Sequence, residues 1–269
     1  MYFPFRSIIH DFFTNEEMDW LLKYSKPKLS AQRDISLSQS TQMLTNSKLN
    51  SGDKNKIGYS VGKAITAWFN DIEYNEPERY QRINKKESPV YEALPLQDPY
   101  SYTLRHHIML DISKRIELAT TFNVTSRHGS SKYQITNYGL SGMVVTHHDA
   151  WGYEQGVDLV EERQKLVTTG DYIATFMGWF QDTAAGGSTA FTASEFEGTI
   201  TPTKGSAAFW MNLLSCHVKD DRAQHGGCPI LKGSKWILNK WINSWDQWRL
   251  WPCDISPLQT IGPLKGILL

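Results

Sequence analysis

The 269-residue sequence has no excess of charge of either sign and no long apolar run. It carries 28 lysines and arginines against 28 aspartates and glutamates. No overall positive field would therefore draw it onto nucleic acid or an anionic membrane. Its longest apolar stretches, such as residues 173–180, are far shorter than the ~20 residues of a membrane-spanning helix. We expect a soluble protein whose partner is neither a nucleic acid nor a membrane.

Cysteines are few, and they leave the compartment open. Cys216, Cys228 and Cys253 allow either one disulfide with one free thiol or three free thiols. The opening Met-Tyr-Phe-Pro-Phe-Arg lacks the basic region and apolar run of a signal peptide, so no signal peptide is visible. These observations do not choose between a reducing and an oxidising compartment.

Three common catalytic motifs are missing as well. The sequence contains no Walker-type phosphate loop, no dinucleotide-binding glycine pattern and no serine nucleophile elbow. Their absence argues against a kinase, a dehydrogenase or a hydrolase of the common types. Apolar residues, by contrast, make up 40% of the chain and aromatic residues 12%, which is ample for a packed core.

Helical patterns mark the first half of the chain. Thr14-Asn-Glu-Glu17 is a capping box, and helical spacing of apolar residues follows it as far as Pro27. Residues 70–99 contain four prolines and are expected to form an irregular insertion. A second amphipathic helix is predicted by the apolar stripe of Leu104, Ile108, Ile112 and Ile116.

From about residue 132 the sequence changes to short β-rich runs between glycine, aspartate and proline turns. So many short strands favour a sandwich or a jelly-roll barrel over βαβ units. The predicted fold class is α+β, with a helical N-terminal layer packed on a C-terminal barrel. The predicted strands are Tyr133–Tyr138, Gly142–His148, Asp171–Gln181, Gly198–Ile200, Ser206–Leu214, Ala223–His225 and Lys235–Ile242.

A His-x-Asp pair stands at His147 and Asp149. On a strand, residues i and i+2 point to the same face, so these two would lie side by side with His148 turned away. One more imidazole from a distant strand would complete the two-histidine, one-carboxylate face of non-haem Fe(II) oxygenases. The pair alone is a weak signal, and a surface turn with solvated histidines is the alternative.

Downstream, His225 lies on a short strand and is followed by a two-glycine turn and a strand that begins at Lys235. Alternation places Lys235 and Trp241 on the same face of that strand. A lysine that faces a barrel interior is costly unless it meets an anion. The alternative is an ordinary edge lysine at the strand start.

Together these patterns resemble the catalytic domain of prolyl 4-hydroxylases, most closely the collagen-type α subunits. The resemblance covers most of the chain and makes residues 1–269 one catalytic domain. Its parts would be a helical layer over 1–131, a jelly-roll core over 132–253 and a tail over 254–269. The motifs that carry it are Asn137-Tyr-Gly-Leu-Ser-Gly142, His147-x-Asp149, Ile173-Ala-Thr175, Ala185-Gly-Gly-Ser-Thr-Ala-Phe191, Lys204-Gly-Ser-Ala-Ala-Phe-Trp210, His225-x-x-Cys-Pro229 and Gly233-Ser-Lys-Trp236 with Asn239-Lys-Trp241.

The resemblance implies an Fe(II)- and 2-oxoglutarate-dependent dioxygenase that hydroxylates peptidyl proline at C4, with ascorbate as the reductant that rescues oxidised iron. The iron ligands would be His147, Asp149 and His225. Lys235 would pair with the distal carboxylate of 2-oxoglutarate, and Thr175 or Tyr138 could add a hydrogen bond. Trp241 would lie near the substrate peptide, with core packing as its alternative role.

The resemblance also implies the surroundings of the enzyme. The substrate would be a proline-rich or collagen-like peptide, and a protein disulfide isomerase could be a partner. Collagen-type members pair cysteines at the positions of Cys228 and Cys253, which implies a disulfide here and leaves Cys216 free. An endoplasmic reticulum lumen or secretory location follows by the same resemblance.

Three departures from the family pattern stand close to the motifs. Val144 replaces a tyrosine, Tyr172 replaces a basic residue, and Asn243 replaces the histidine of the collagen enzymes. Val144 and Asn243 make the first of two alternatives plausible. The chain could use the same oxygenase chemistry on another residue or a small molecule, or it could be a non-catalytic jelly-roll binding subunit.

Overall fold

Antiparallel strands build most of this fold, which a computed structural model describes over residues 6–31, 60–61, 64–69, 99–126, 128–151, 169–193 and 197–252. Two α-helices are described, Asn15–Ser25 (α1) and Pro99–Thr120 (α2). The strands are Arg6–Ile9 (β1), Ser30–Ala31 (β2), Ser60–Val61 (β3), Ala64–Phe69 (β4), Tyr133–Tyr138 (β5), Met143–His147 (β6), Tyr172–Trp179 (β7), Ala185–Gly186 (β8), Thr189–Phe191 (β9), Gly198–Ile200 (β10), Ala207–Met211 (β11), His225–Gly227 (β12), Ile230–Lys232 (β13) and Lys235–Asn243 (β14).

The strands form a large sheet, a smaller sheet and one extra pair. The seven-stranded sheet has the order β1-β11-β7-β14-β5-β4-β2, and the five-stranded sheet has the order β10-β9-β12-β6-β3. Neighbours in both sheets run antiparallel. Strands β8 and β13 pair with each other. The order is far from sequential, as expected of a jelly roll.

The two helices pack together on one side of the large sheet. The predicted capping box is present, since Thr14 Oγ1 accepts from the Glu17 amide at 3.2 Å and Glu17 Oε2 accepts from the Thr14 amide at 2.9 Å. The same Glu17 carboxylate accepts from Arg115 of α2 at 2.8 Å. Leu21 of α1 and Ile112 of α2 are fully buried against this layer.

Each face of the large sheet has its own apolar cluster, because side chains alternate along its strands. One cluster includes Phe176 and Leu238 and packs on the helices. The other joins Trp179 and Ile237 of the large sheet to Phe191 of the small sheet. This second cluster lies between the sheets, and the candidate site lies on the same face of the large sheet.

The jelly-roll class predicted from the sequence is confirmed, and the N-terminal part adds more than helices. Strands β1 and β4 extend the large sheet by pairing with β11 and β5. The expected insertion falls almost entirely on residues 70–98, outside the described residues. Within the described part of the chain, neither helix is apolar and long enough to cross a membrane.

Candidate metal centre

Three side chains converge where the small sheet faces the large one. His147 ends β6, His225 begins β12, and the two residues are direct partners in the antiparallel pairing. Asp149 follows β6 by two residues. One ligand atom from each of the three lies within 4.8 Å of the others. Asp149 Oδ1 is 3.3 Å from His147 Nε2, and Asp149 Oδ2 is 3.8 Å from His225 Nε2.

The backbone orients both imidazoles in the same way. His147 Nδ1 lies 2.9 Å from the Val145 carbonyl oxygen, and His225 Nδ1 lies 2.8 Å from the Ala223 carbonyl oxygen. A carbonyl only accepts, so Nδ1 carries the hydrogen in each ring. In the neutral tautomer Nε2 is then the nitrogen with the lone pair, and it faces the centre. This is the arrangement that holds metal-binding histidines in place.

The electrostatics of the centre suit a cation. Burial by itself would raise the pKa of Asp149, but His225 and His147 and two hydrogen bonds hold that pKa well below its usual range. Burial lowers the pKa of His225 to about 4, against the charge of Asp149. Burial also acts to lower the pKa of His147, but the hydrogen bond and charge of Asp149 raise it. When both imidazoles are neutral, three electron-rich atoms face one another, and a bound metal ion would relieve their repulsion.

His148 is turned away from the three converging side chains, as strand alternation predicts. Its Nε2 lies 4.0 Å from Asp221 Oδ1, an exposed carboxylate. The structure thus separates the two adjacent histidines into one that faces the centre and one that does not.

Thr175 makes a different contact from the one that the resemblance implies. Its hydroxyl donates to Asp149 Oδ2 at 2.6 Å and accepts from Asn212 Nδ2 at 2.8 Å. In this structure its only proton is thus directed at the carboxylate of the centre. The strand register explains this, because Thr175 pairs with Trp241, six residues along β14 from Lys235.

Lys235 is a buried cation that lacks a close anionic partner among the described residues. Its side chain is 4% exposed, and its ammonium donates to the Thr189 hydroxyl at 3.3 Å. Burial lowers the pKa of Lys235 to about 8, with the nearby Cys228 thiol acting in the opposite direction. An ammonium this deep and this weakly bonded would be stabilised by a carboxylate ligand.

Tyr138 stands next to Lys235 across the sheet. The two residues are direct partners in the pairing of β5 with β14, so their side chains share the interior face. Burial and then the charge of Asp149 raise the pKa of Tyr138 above its usual range. The phenol therefore stays neutral and is able to donate a hydrogen bond on the same face as the lysine.

The described residues do not show the predicted disulfide. Cys228 is a free thiol in the structure, and Cys253 lies outside the described residues. The backbone amide of Cys228 donates to the Ser188 carbonyl at 2.8 Å, which places the residue in the β12–β13 connection close to Lys235. Cys216 is also free, as expected.

Trp241 is the middle ring of an aromatic shelf, defined here as Trp68, Trp241 and Tyr172. The Trp241 and Tyr172 rings stack with centroids 5.5 Å apart, and the Trp241 and Trp68 centroids are 6.0 Å apart. Trp68 is 53% exposed, so the shelf runs from the strand position beside Thr175 out to solvent. The buried Trp241 indole N–H lacks a hydrogen-bond partner among the described residues.

The three departures from the family pattern have different surroundings. Tyr172 belongs to the aromatic shelf and thus lies next to Trp241, the residue predicted to contact the substrate. Val144 lies on β6 beside Gly227, in the pairing that holds the two histidine strands together. Asn243 donates its side-chain amide to the His128 carbonyl at 2.9 Å. Of the three, Tyr172 is the one that stacks on Trp241.

Sequence reasoning missed two residues that touch the site. Asn212, just beyond β11, supports Thr175, and Thr189 on β9 contacts Lys235. A single polar residue in a short or irregular stretch carries no periodic signal, so only the three-dimensional pairing reveals them.

Comparisons with known proteins agree with this geometry. The sequence profile of the 2OG-Fe(II) oxygenase superfamily matches residues 133–243, a range that contains all three converging side chains and Lys235. Prolyl 4-hydroxylase subunit alpha-1 of Gallus gallus is 34% identical over 148 residues, which is 55% of this chain and 27% of that protein. Subunit alpha-3 of Mus musculus is 27% identical over 254 residues, 94% of this chain and 36% of that protein. The matched part of the chain thus spans only about a quarter to a third of the length of these two relatives.

A solved structure shows the same fold. The viral collagen prolyl hydroxylase of Paramecium bursaria Chlorella virus-1 superimposes with a TM-score of 0.50, covering 89% of this chain and 96% of the viral one. The two sequences are 15% identical, so the likeness concerns the architecture. The resemblance to prolyl 4-hydroxylases noted from the sequence is confirmed.

Proposed function

We propose that this chain, whose residues 133–243 belong to the 2OG-Fe(II) oxygenase superfamily, hydroxylates peptidyl proline at C4. The observation that carries the proposal is the combination of two features inside one barrel. His147, Asp149 and His225 offer three ligands, and Lys235 is a buried cation without a close anion among the described residues. A metal site alone would not need the lysine.

The three ligands suit Fe(II). Two imidazoles and one carboxylate on one face leave about half of an octahedral shell open, as in the non-haem Fe(II) oxygenases. Bound there, the metal would supply the activation of dioxygen. The protein's own part is to fix the ligands, which it does with the Val145 and Ala223 carbonyls and the Thr175 hydroxyl.

Lys235 and Tyr138 would hold the distal carboxylate of 2-oxoglutarate. They are cross-strand partners on the interior face, and both are buried. A charge-assisted hydrogen bond in such a place is stronger than one in water. Lys235 therefore supplies the charge, and Tyr138 adds a neutral donor.

The aromatic shelf would receive the peptide. Lys235 and Trp241 are six residues apart on one strand, which separates them by roughly 20 Å at ~3.3 Å per residue. They therefore mark two ends of the interior and serve two different ligands. An extended proline-rich segment has no internal hydrogen bonds and presents flat pyrrolidine rings that suit aromatic faces.

Three further features of the proposal follow from the family alone. Ascorbate would restore iron that is oxidised in unproductive cycles. A protein disulfide isomerase could be a partner of the chain. The chain would act in the endoplasmic reticulum lumen or the secretory pathway. None of these rests on a contact in the fold.

The test is coupled turnover on defined substrates. The chain is supplied with Fe(II), ascorbate and 2-oxoglutarate, and succinate is measured with and without proline-rich and collagen-like peptides. Mass spectrometry should find the mass of one added oxygen atom on proline. Oxygen on another residue or on a small molecule would overturn the proline assignment and keep the oxygenase. No succinate under any condition would favour the non-catalytic binding subunit.

A further inference from the structure

A line of hydrogen bonds reaches the centre from the opposite sheet. Both histidines lie on the small sheet, whereas Thr175 lies on β7 of the large sheet and Asn212 just follows its neighbour β11. Asn212 Nδ2 lies 2.8 Å from Thr175 Oγ1, which lies 2.6 Å from Asp149 Oδ2. Asn212 and Thr175 are each 1% exposed. Asp149, in a turn beyond the end of β6, is thus anchored across the barrel.

Asn212 determines which atom donates and which accepts in each of these hydrogen bonds. Asn212 Nδ2 also donates to the Tyr172 carbonyl at 3.2 Å. A carbonyl only accepts, so the amide nitrogen and not its oxygen must face Tyr172 and Thr175. The Thr175 oxygen then accepts from Asn212, and its own hydrogen is directed at Asp149, which as a carboxylate only accepts. Asp149 Oδ2 therefore accepts a hydrogen bond from the Thr175 hydroxyl, and Asn212 sets the orientation of that hydroxyl.

We propose that Asn212 is a positioning residue for the metal centre. Acting through Thr175, it holds Oδ2 of Asp149 and so leaves Oδ1, the oxygen 3.3 Å from His147 Nε2, to face the metal. The inference rests on the proposed function in that the centre must bind a metal, but it does not depend on the substrate. Hydrogen-bond partners behind metal ligands typically change metal affinity by roughly 10- to 100-fold.

The experiment titrates the metal-free chain with Co(II), a spectroscopic substitute for Fe(II), in the absence of 2-oxoglutarate. Thr175→Val removes the hydroxyl with little change of shape and should weaken Co(II) binding by roughly 10- to 100-fold. Asn212→Leu should weaken it in the same direction, by roughly tenfold. Thr175→Ser keeps the hydroxyl and should bind nearly as the natural chain does.

The double variant is decisive. If Asn212 acts through Thr175, adding Asn212→Leu to Thr175→Val should cause no further loss of Co(II) affinity. Losses that multiply, or an Asn212→Leu variant that binds Co(II) like the natural chain, would overturn the proposal. Asn243→Leu is the matched control, because it removes another buried asparagine whose amide donates to the distant His128 carbonyl.

Two further outcomes have defined meanings. Should Asn212→Leu fail to fold by circular dichroism, Asn212→Ala takes its place in the cycle, since alanine creates space instead of inserting a bulky apolar group. A natural chain that binds Co(II) but hydroxylates no proline would overturn the proposed function and leave this inference standing. A natural chain that binds no Co(II) would overturn both.

Discussion

Replacing Lys235 by methionine should stabilise the ligand-free protein and abolish its binding of 2-oxoglutarate. Burial lowers the pKa of Lys235 from 10.5 to about 8. Each pH unit between the unfolded and folded pKa values is worth about 1.4 kcal/mol, so holding the charged lysine in the interior costs roughly 3 kcal/mol of stability at neutral pH. Methionine has a similar length and needs no hydrogen-bond partner. The gain at neutral pH should therefore reach as much as roughly 3 kcal/mol.

The pH dependence of this gain has a definite sign. A base with a lowered pKa in the folded state destabilises the fold most strongly below that folded value, here about 8. The destabilisation disappears as the pH rises towards the unfolded value of 10.5. The advantage of Lys235→Met should thus be complete at neutral pH and should shrink steadily between the two values.

Urea unfolding of the ligand-free chain at neutral and at alkaline pH measures the stability, and calorimetric titration of the Co(II)-loaded chain measures 2-oxoglutarate binding. Lys232→Met is the control, since Lys232 is exposed on β13 in the same hairpin and should change neither quantity. A Lys235→Met chain that is less stable than the natural one would refute the destabilising effect of the buried charge. Unchanged 2-oxoglutarate binding would refute the role of Lys235 in binding that ligand.

Further predictions concern the centre and the shelf. His147→Ala should abolish Co(II) binding in the same titration, whereas His148→Ala should retain it because its imidazole faces Asp221 instead; equal losses would contradict the orientation. Because Asp149 raises the pKa of His147 in spite of burial, protons should compete with the metal, and Co(II) affinity should fall as the pH drops through that pKa. Affinity that is constant across the acidic range would exclude this competition. Trp241→Ala should raise the KM of a proline-rich peptide and leave uncoupled 2-oxoglutarate decarboxylation nearly unchanged, and the opposite pattern would remove the shelf from peptide binding.

The sequence predicts the strands that carry a strong alternating or aromatic signal. β5 and β10 begin and end at the predicted residues, and β6 and β7 do so within two residues. β9 is absent from the predicted strands, and in the structure Gly186 and Gly187 precede it with positive φ angles. Its three residues pair with β12 and hold His225 in place. A strand so short has no period of its own and is defined by its neighbours.

The candidate site divides in the same way. The side-by-side placement of His147 and Asp149 follows from a local period of two, and so does the shared face of Lys235 and Trp241. The contacts behind these residues are non-local. Asn212 meets Thr175 across 37 positions of sequence, and Lys235 meets Thr189 across 46. Such contacts depend on which strands pair and in which register, and a local pattern does not encode that.

A comparison within strand β14 supports the proposed role of Lys235 in ligand binding. It carries a second buried lysine, Lys240, which is 0% exposed and lies on the opposite face of the sheet. Lys240 donates to the Ser131 carbonyl at 2.7 Å and sits 4.2 Å from the Tyr133 ring centroid, so the fold itself satisfies its charge.

Lys235, on the same strand and almost as deeply buried, has a single hydroxyl at 3.3 Å. A fold that places a carbonyl and an aromatic ring beside one buried ammonium could do the same for the other. The interior face instead leaves the Lys235 charge without a close anion in the described structure. That difference between two lysines of one strand is what a carboxylate ligand would explain, and structural burial alone does not.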